Sequence, residues 1–148
     1  MCSSDLSVIR ATLTGLAANH GRGHIVRAVL EGVAFSLRDT LSIFAEMQVP
    51  VDRIRLGGGG ARSPLWRQIQ ADVYGTPVDA IEADEGAAFG AAILAAVGIG
   101  RWPTVDAACD ALVQGGAVTR PQPEVVHVMN DRYDAYTRIY PAFRTIHG

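Results

Sequence analysis

A run of four consecutive glycines constrains this 148-residue chain more than any other feature. Residues 57–60 follow a short β-branched run that ends at Leu56 and precede Ser63-Pro64. Ser is a preferred helix N-cap, Pro a preferred first helical residue and Gly a preferred C-terminal stop, which Gly75 supplies. The pattern therefore predicts a strand, a tight glycine turn and a helix over Leu65–Tyr74.

A turn of this composition is suited to bind an anion. Glycine has no Cβ, so the backbone can adopt positive φ and bring bare N–H groups close to a ligand. The N-terminus of the following helix adds a partial positive charge. Each N–H bond to a charged oxygen contributes about 1.5–3 kcal/mol. Two glycines would suffice for a turn that binds nothing, so we interpret all four as a phosphate-binding turn.

Two common kinds of phosphate loop are excluded. All 13 basic residues are Arg, so the Lys that a P-loop requires is absent. The dinucleotide pattern G-x-G-x-x-G fails as well, because its last position is Arg62 when counted from Gly57 and Ser63 when counted from Gly58. The turn is thus of a third kind, and a dehydrogenase-type dinucleotide domain is disfavoured.

Length and composition fit one domain without a nucleic-acid or membrane surface, and the order of strands and helices predicts an α/β fold. The chain is 49% hydrophobic with a net charge of −2, and it shows no basic stripe. Cys2 and Cys109 make no disulfide framework, which favours the cytoplasm. The apolar stretch Gly86–Gly100 is too short to span a membrane and predicts a buried helix. On it, Gly86 and Gly90 share a face that another backbone can approach.

Periodicity and turn residues predict the remaining elements. The expected strands are 8–13, 53–56 and 78–80; the expected helices are 24–47, 65–74, 87–97, 104–112 (capped by Thr104) and 124–146; and 114–123 is expected to be a loop. On the long helix 24–47, apolar residues recur at helical spacing and predict its inward face: Ile25, Val29, Val33, Leu37, Leu41 and Phe44, widened by Val26, Leu30 and Ala34. Gly32 and Ser36 on the same helix suggest a closely packed neighbour.

Three separated motifs resemble the C-terminal domain of the FGGY carbohydrate kinases, and within it the xylulokinase subgroup. The first runs from Ala11 to Leu16 and continues at His24-Ile25 and 28–31. The second is Gly58-Gly59-Gly60-Ala61-Arg62-Ser63 with Trp66-Arg67-Gln68 downstream, and the third is 86–92. The resemblance covers almost everything after Arg10.

The resemblance implies an actin-like, ribonuclease H-like ATPase lobe, the C-terminal domain of a two-lobed sugar kinase. It implies ATP in the cleft, with the turn at Gly58, Gly59 and Gly60 near its phosphates. It implies that Arg62 and Ser63 lie near the adenosine, and Trp66 is expected either to pack or to border the base. In such kinases the catalytic Asp and the groups that hold Mg²⁺ and the sugar lie upstream, so we expect no catalytic residue in this chain.

Other ionisable residues are given structural roles. Asp79, Asp84 and Glu85 are interpreted as a solvated turn and a helix N-terminal charge rather than the catalytic base. His24 and Glu31 are expected to cap or pack. His20 and His24 have a spacing that suits a metal, but the neighbouring glycines and the absence of a nearby carboxylate disfavour a metal site.

The sequence thus predicts the ATP-binding fragment of a cytoplasmic carbohydrate kinase, most specifically one that converts D-xylulose to D-xylulose 5-phosphate. The fragment alone is expected to be inactive. The alternative is a non-catalytic, actin-like nucleotide-binding regulatory module. Residues 1–6 are expected to be a non-native or disordered leader to one domain over 7–148 that is truncated at its N-terminus. Aromatic residues of the last helix make a homodimer possible.

Overall fold

A computed structural model describes residues 11–51, 53–81, 86–113 and 115–147 of the chain. In chain order it contains α1 (Arg22–Glu46), β1 (Ile54–Leu56), a 3-10 turn (Gly59–Arg62), α2 (Pro64–Tyr74), β2 (Val78–Ile81), α3 (Gly86–Gly98), α4 (Val105–Leu112), β3 (Gly115–Thr119) and α5 (Pro123–His147). The predicted α/β class is confirmed. The leader predicted at residues 1–6 lies outside the described residues.

The described strands form one small mixed sheet in the order β1-β2-β3. β1 runs parallel to β2, with Ile54 opposite Val78. Helix α2 makes the crossover that a parallel pair requires. β3 runs antiparallel to β2, with Thr119 opposite Val78. The glycine turn therefore follows β1 and leads into α2, the helix that connects β1 to its partner strand β2.

The residues that begin and end α2, and the residue that caps α4, were predicted correctly. The Ser63 side chain accepts a hydrogen bond from the Trp66 amide at the start of α2, and Gly75 ends that helix with φ 65°. Thr104 accepts a bond from the Ala107 amide at the start of α4. These caps act within one turn of chain, which is why local sequence is enough to find them.

One loop prediction was wrong, and one strand prediction fails at the residues that the structure describes. The predicted loop 114–123 contains β3, because the pairing with β2 orders a segment whose two glycines gave it the composition of a loop. The predicted strand 8–13 has no regular structure at 11–13, and 8–10 lie outside the described residues.

The core lies where α1, α2 and α5 meet. Its buried members come from these three helices: Ala34, Phe35, Ile69, Val73 and Met129. Phe35 lies against Tyr133 and Tyr136 of α5, with ring centroids 5.8 and 5.4 Å apart. Offset aromatic contacts of this kind add about 0.5–1.5 kcal/mol each to the burial of apolar area.

The inward face of α1 was predicted only in part. Val29, Val33 and Leu37 are 53%, 48% and 44% exposed, whereas Ala34, expected at the margin of that face, is buried together with Phe35. Helix α1 carries apolar residues on more than one face, and α2 and α5 cover only one of them. No atom lies within 4 Å of a Cβ built at Gly32, so the expected close neighbour is not present among the described residues.

Helix α3 is mostly exposed, contrary to the prediction of a buried helix. Ile93 is its buried residue, while Leu94 is 60% exposed. A Cβ built at Gly86 or Gly90 would meet nothing within 4 Å, so the predicted backbone approach is not found. None of the helices in the described ranges is long and apolar enough to cross a membrane.

Candidate functional site

The glycine turn begins with a backbone conformation that only glycine adopts readily. Gly58 has φ 78° and ψ −179°, a region that is essentially restricted to glycine and costs other residues about 1–3 kcal/mol. The chain then enters the short 3-10 turn and leaves it at Ser63. Gly58 is therefore required by the shape of the turn, which the sequence alone could not assign to one of four glycines.

Hydrogen bonds inside the turn use the amides beyond the glycines. Ala61 N donates to Gly58 O and Ser63 N donates to Gly60 O, both at 3.1 Å. The amides of Gly58, Gly59 and Gly60 are not consumed by these bonds. The carbonyls of the turn thus accept bonds from later amides of the same turn, and the amides of its first glycines take no part in these two bonds.

Space above the turn differs between the glycines. A Cβ built at Gly57, Gly58 or Gly59 would meet nothing within 4 Å. A Cβ at Gly60 would lie 3.2 Å from Cδ1 of Trp66, tighter than most real contacts. Trp66 also packs against the core, so its packing role is confirmed. Sterics inside the chain explain the absence of a side chain at Gly60 but not at Gly57 or Gly59.

The two other predicted site residues lie at the helix start. Arg62 ends the 3-10 turn and is exposed. The Ser63 hydroxyl oxygen accepts the Trp66 amide at 3.3 Å, so it caps α2. The structure therefore brings together all five predicted positions, Gly58, Gly59, Gly60, Arg62 and Ser63, within one continuous turn.

Arg67 is a residue of this region that the sequence reasoning did not single out. Its Nη1 donates to the carbonyl of Ala61 at 2.6 Å. A cation in the first turn of a helix opposes the helix dipole. Arg67 is the fourth residue of α2, where its charge is unfavourable unless a hydrogen-bond partner compensates for it. That placement was the signal in the sequence for a specific partner of Arg67.

The carboxylates near the turn were partly misassigned. Asp79 was predicted to belong to a solvated turn, but it lies in β2, is 5% exposed and pairs with Arg53. Val78 and Asp79 of β2 are both buried, and the arginine compensates for the charge of the carboxylate. Asp84 and Glu85 lie outside the described residues.

The capping role predicted for His24 is confirmed. Its Nδ1 accepts the Gly21 amide at 3.1 Å, and Nδ1 of His20 accepts the Ala17 amide at 3.0 Å. Both Nδ1 atoms are therefore engaged by backbone amides in this arrangement. Within the described ranges no group of three metal-ligating side chains comes together.

The packing role predicted for Glu31 is also confirmed. It is 6% exposed, and its two oxygens bond Arg27 Nε at 2.6 Å and Arg132 Nη1 at 2.9 Å. Glu31 and Arg132 also line an open, mainly apolar groove of about 720 Å³ between α1, α5 and residues 12–14. The glycine turn does not line this groove.

Comparisons with known proteins agree with the motifs. Residues 7–99 match the C-terminal domain of the FGGY family of carbohydrate kinases. The chain is 35% identical over 134 residues to a xylulose kinase of Bacillus subtilis, covering 90% of this chain. It is 44% identical over 94 residues to a glycerol kinase of Gloeobacter violaceus, covering 63% of this chain and 19% of that protein.

A solved structure shows the same fold. The crystal structure of xylulose kinase from Rhodospirillum rubrum matches 91% of this chain with a TM-score of 0.80 and 34% identity. The chain covers 28% of that structure and 27% of the Bacillus subtilis protein. It therefore spans about a quarter of the length of these relatives.

Proposed function

The chain belongs to the FGGY family of carbohydrate kinases, and we propose that it is the ATP-binding part of an enzyme that phosphorylates a sugar hydroxyl. One observation carries the proposal: Gly58 holds a glycine-only conformation beside Gly57 and Gly59, which have open space where a side chain would stand. A ligand that approaches the backbone closely gives those positions a reason to lack a side chain.

The residue roles follow from the chemistry of the turn. The amides of Gly58, Gly59 and Gly60 donate to phosphate oxygens, each bond contributing about 1.5–3 kcal/mol. The N-terminus of α2, fixed by the Ser63 cap, adds about 0.3–1 kcal/mol for a negative charge. Arg62 lies on the adenosine side of the bound nucleotide. These roles are consistent with a turn that holds the nucleotide without a lysine.

The reaction is the transfer of the γ-phosphoryl group of ATP to a hydroxyl of the sugar. Phosphoryl transfer depends mainly on positioning and charge stabilisation. The buried carboxylates Glu31, Asp72 and Asp79 are each held by partners within the domain, which leaves none of them suited to deprotonate a sugar. We assign the base, the Mg²⁺ ligands and the sugar contacts to the part of the kinase outside this chain. The chain by itself is then inactive.

D-xylulose is the proposed substrate, and the cytoplasm is the proposed compartment. Two xylulose kinases align over nine-tenths of the chain at 34–35% identity, and a gluconokinase aligns over 91% of it at 33%. The whole enzyme should release ADP with D-xylulose faster than with D-gluconate or glycerol. A whole protein that binds ATP and phosphorylates none of a panel of sugars and polyols would instead support the regulatory module.

A titration followed by NMR tests the nucleotide site. The ¹⁵N-labelled chain is titrated with MgATP and, separately, with NAD. We expect the amide signals of Gly58, Gly59 and Gly60 to shift with ATP and to stay unchanged with NAD at the same concentration. Shifts confined to the α1/α5 groove, or no shift at millimolar ATP, would overturn the proposal.

A further inference from the structure

We propose that Arg67 is a positioning residue for the nucleotide: its guanidinium fixes the shape of the glycine turn by tying it to strand β3. The inference rests on the proposed function of the same turn and adds a residue that does not itself contact the ligand.

The geometry of Arg67 joins two distant parts of the chain. Nη1 donates to the Ala61 carbonyl at 2.6 Å, six residues earlier, and Nε donates to the Thr119 hydroxyl at 3.4 Å, fifty-two residues later. The first bond is short and charge-assisted, while the second is at the long limit. Ala61 is 5% exposed, so its carbonyl is anchored inside the fold. Arg67 thus holds the turn from its inner side.

The two bonds require an arginine. The guanidinium is planar and presents donors in fixed directions, whereas the ammonium of lysine is a single compact group. A cation at the fourth position of α2 also faces the positive end of the helix dipole. The short bond to Ala61 O offsets that unfavourable placement. A residue whose only task was solubility would be placed elsewhere on the helix.

The neighbours of Arg67 on α2 anchor the same distant segment. Gln68 Nε2 donates to the Arg120 carbonyl at 3.1 Å, and the Gln122 amide donates to Asp72 Oδ1 at 2.8 Å. Asp72 is 2% exposed. Helix α2 is therefore held to residues 119–122 along its length, and Arg67 extends that anchor to the turn. The side chain of Arg67 thus connects the glycine turn to β3.

The test compares the 148-residue chain with Arg67→Ala and Arg67→Lys. The readouts are the dissociation constant for MgATP and the hydrogen-exchange rates of the amides of residues 58–63. We expect MgATP to bind about tenfold more weakly to both variants, since one charge-assisted bond no longer orders the turn. Exchange at Ala61 and Ser63 should accelerate in the same variants.

Arg38→Ala is the matched control. Arg38 Nη1 donates to the Val73 carbonyl at 3.0 Å, so it makes the same kind of bond at the opposite end of α2. A merely structural effect would lower the melting temperature and weaken nucleotide binding alike in Arg38→Ala and Arg67→Ala. We expect the affinity to fall only in the Arg67 variants. Thr119→Val, which removes the longer bond, should change the affinity less than threefold.

The outcomes separate the two proposals. If the unmodified chain binds MgATP and both Arg67 variants bind it equally well, the positioning role is wrong and the proposed function stands. If the unmodified chain binds no MgATP, both proposals fall. Equal losses of affinity in Arg38→Ala and Arg67→Ala would also overturn the positioning role, because the effect would then be one of general stability.

Discussion

Glu31 of α1 and Arg132 of α5, which are 101 residues apart in the sequence, form a 2.9 Å ion pair at the edge of the core. Glu31 is buried and also accepts a hydrogen bond from Arg27 Nε at 2.6 Å, whereas the side chain of Arg132 is 53% exposed. The carboxylate therefore has two cationic partners that solvent still reaches. The pair fixes how α1 and α5 lie against each other beside Phe35.

Replacing Glu31 by Gln should destabilise the domain. The two guanidiniums would lose their common anion, and removing one partner of a buried pair costs up to about 3–5 kcal/mol. Because both arginines are partly exposed, we expect about 1–3 kcal/mol from urea unfolding. Arg138→Gln on the exposed side of α5 is the control and should change stability by less than about 0.5 kcal/mol. Equal effects of the two substitutions would contradict the role of the pair.

The caps of α2 and α4 offer a second comparison. Ser63→Ala and Thr104→Ala each remove a side-chain oxygen that accepts a backbone amide, at a cost of about 1 kcal/mol each. Only Ser63 stands beside the glycine turn. We expect both variants to unfold at lower urea and only Ser63→Ala to weaken MgATP binding. A loss of binding in Thr104→Ala would show that affinity merely follows stability.

Sequence predicted those features of the fold that depend on neighbours along the chain. The caps at Ser63, Gly75 and Thr104 were found because each acts within one helical turn. Strand β3 was missed because its order comes from pairing with β2, some forty residues away. The inward face of α1 was predicted only in part, because this helix carries apolar residues on more than one face and periodicity alone cannot choose between them.

The candidate site was predictable to the same extent. The glycines and the cap were found, but which glycine needs positive φ and which leaves open space depends on the three-dimensional path of the turn. Asp79 was misassigned because its partner, Arg53, lies just before β1 and 26 residues away in the sequence. Arg67 was missed because its bonds to Ala61 and Thr119 depend on the turn and on β3.

The exposed face of α1 should tolerate polar substitution. Val33 is 48% exposed and Phe35 is 5% exposed. The two residues lie on nearly opposite sides of the helix, because they are two positions apart. We expect Val33→Ser to change the free energy of unfolding by less than about 0.5 kcal/mol and Phe35→Ala to cost about 3–5 kcal/mol. A cost above about 2 kcal/mol for Val33→Ser, together with a dimer by light scattering, would instead show that a second copy covers this face in solution.

Alkaline pH should destabilise the domain through its partly buried tyrosines. Burial raises the pKa of Tyr74 from 10.0 to about 12. An acid with a raised pKa keeps its proton in the folded state, while the unfolded chain releases it above about pH 10. The stabilising contribution is therefore complete below pH 10 and is lost as pH rises towards 12.

Tyr74→Phe tests this contribution. Without the hydroxyl, the free energy of unfolding should fall less steeply between pH 10 and 12. The slopes of the two proteins should differ by less than about 1.4 kcal/mol per pH unit. Burial also raises the pKa values of Tyr133 and Tyr136, so part of the slope will remain. Tyr140→Phe is the exposed control and should leave the slope as it is. A Tyr74→Phe variant with the original slope would show that this hydroxyl ionises alike in both states.

Gly59→Ala separates the needs of the fold from those of the ligand. A Cβ at this position meets no atom within 4 Å, and Gly59 does not have positive φ. The folded chain therefore accepts alanine, and the smaller entropy of the unfolded state should raise stability by up to about 1 kcal/mol. If phosphate approaches the turn, the added methyl group occupies its path. We expect MgATP affinity to fall at least tenfold, on the order of 1.4 kcal/mol, by NMR titration.

The control for Gly59→Ala is Gly32→Ala, which also meets nothing within 4 Å but lies on α1. It should raise stability by about 0.5–1 kcal/mol, because alanine is favoured over glycine inside a helix, and it should leave MgATP binding unchanged. Gly58→Ala differs from both, because its positive φ makes alanine strained in the folded chain. A Gly59→Ala variant that bound MgATP as tightly as the Gly32→Ala variant would show that the nucleotide does not approach this turn.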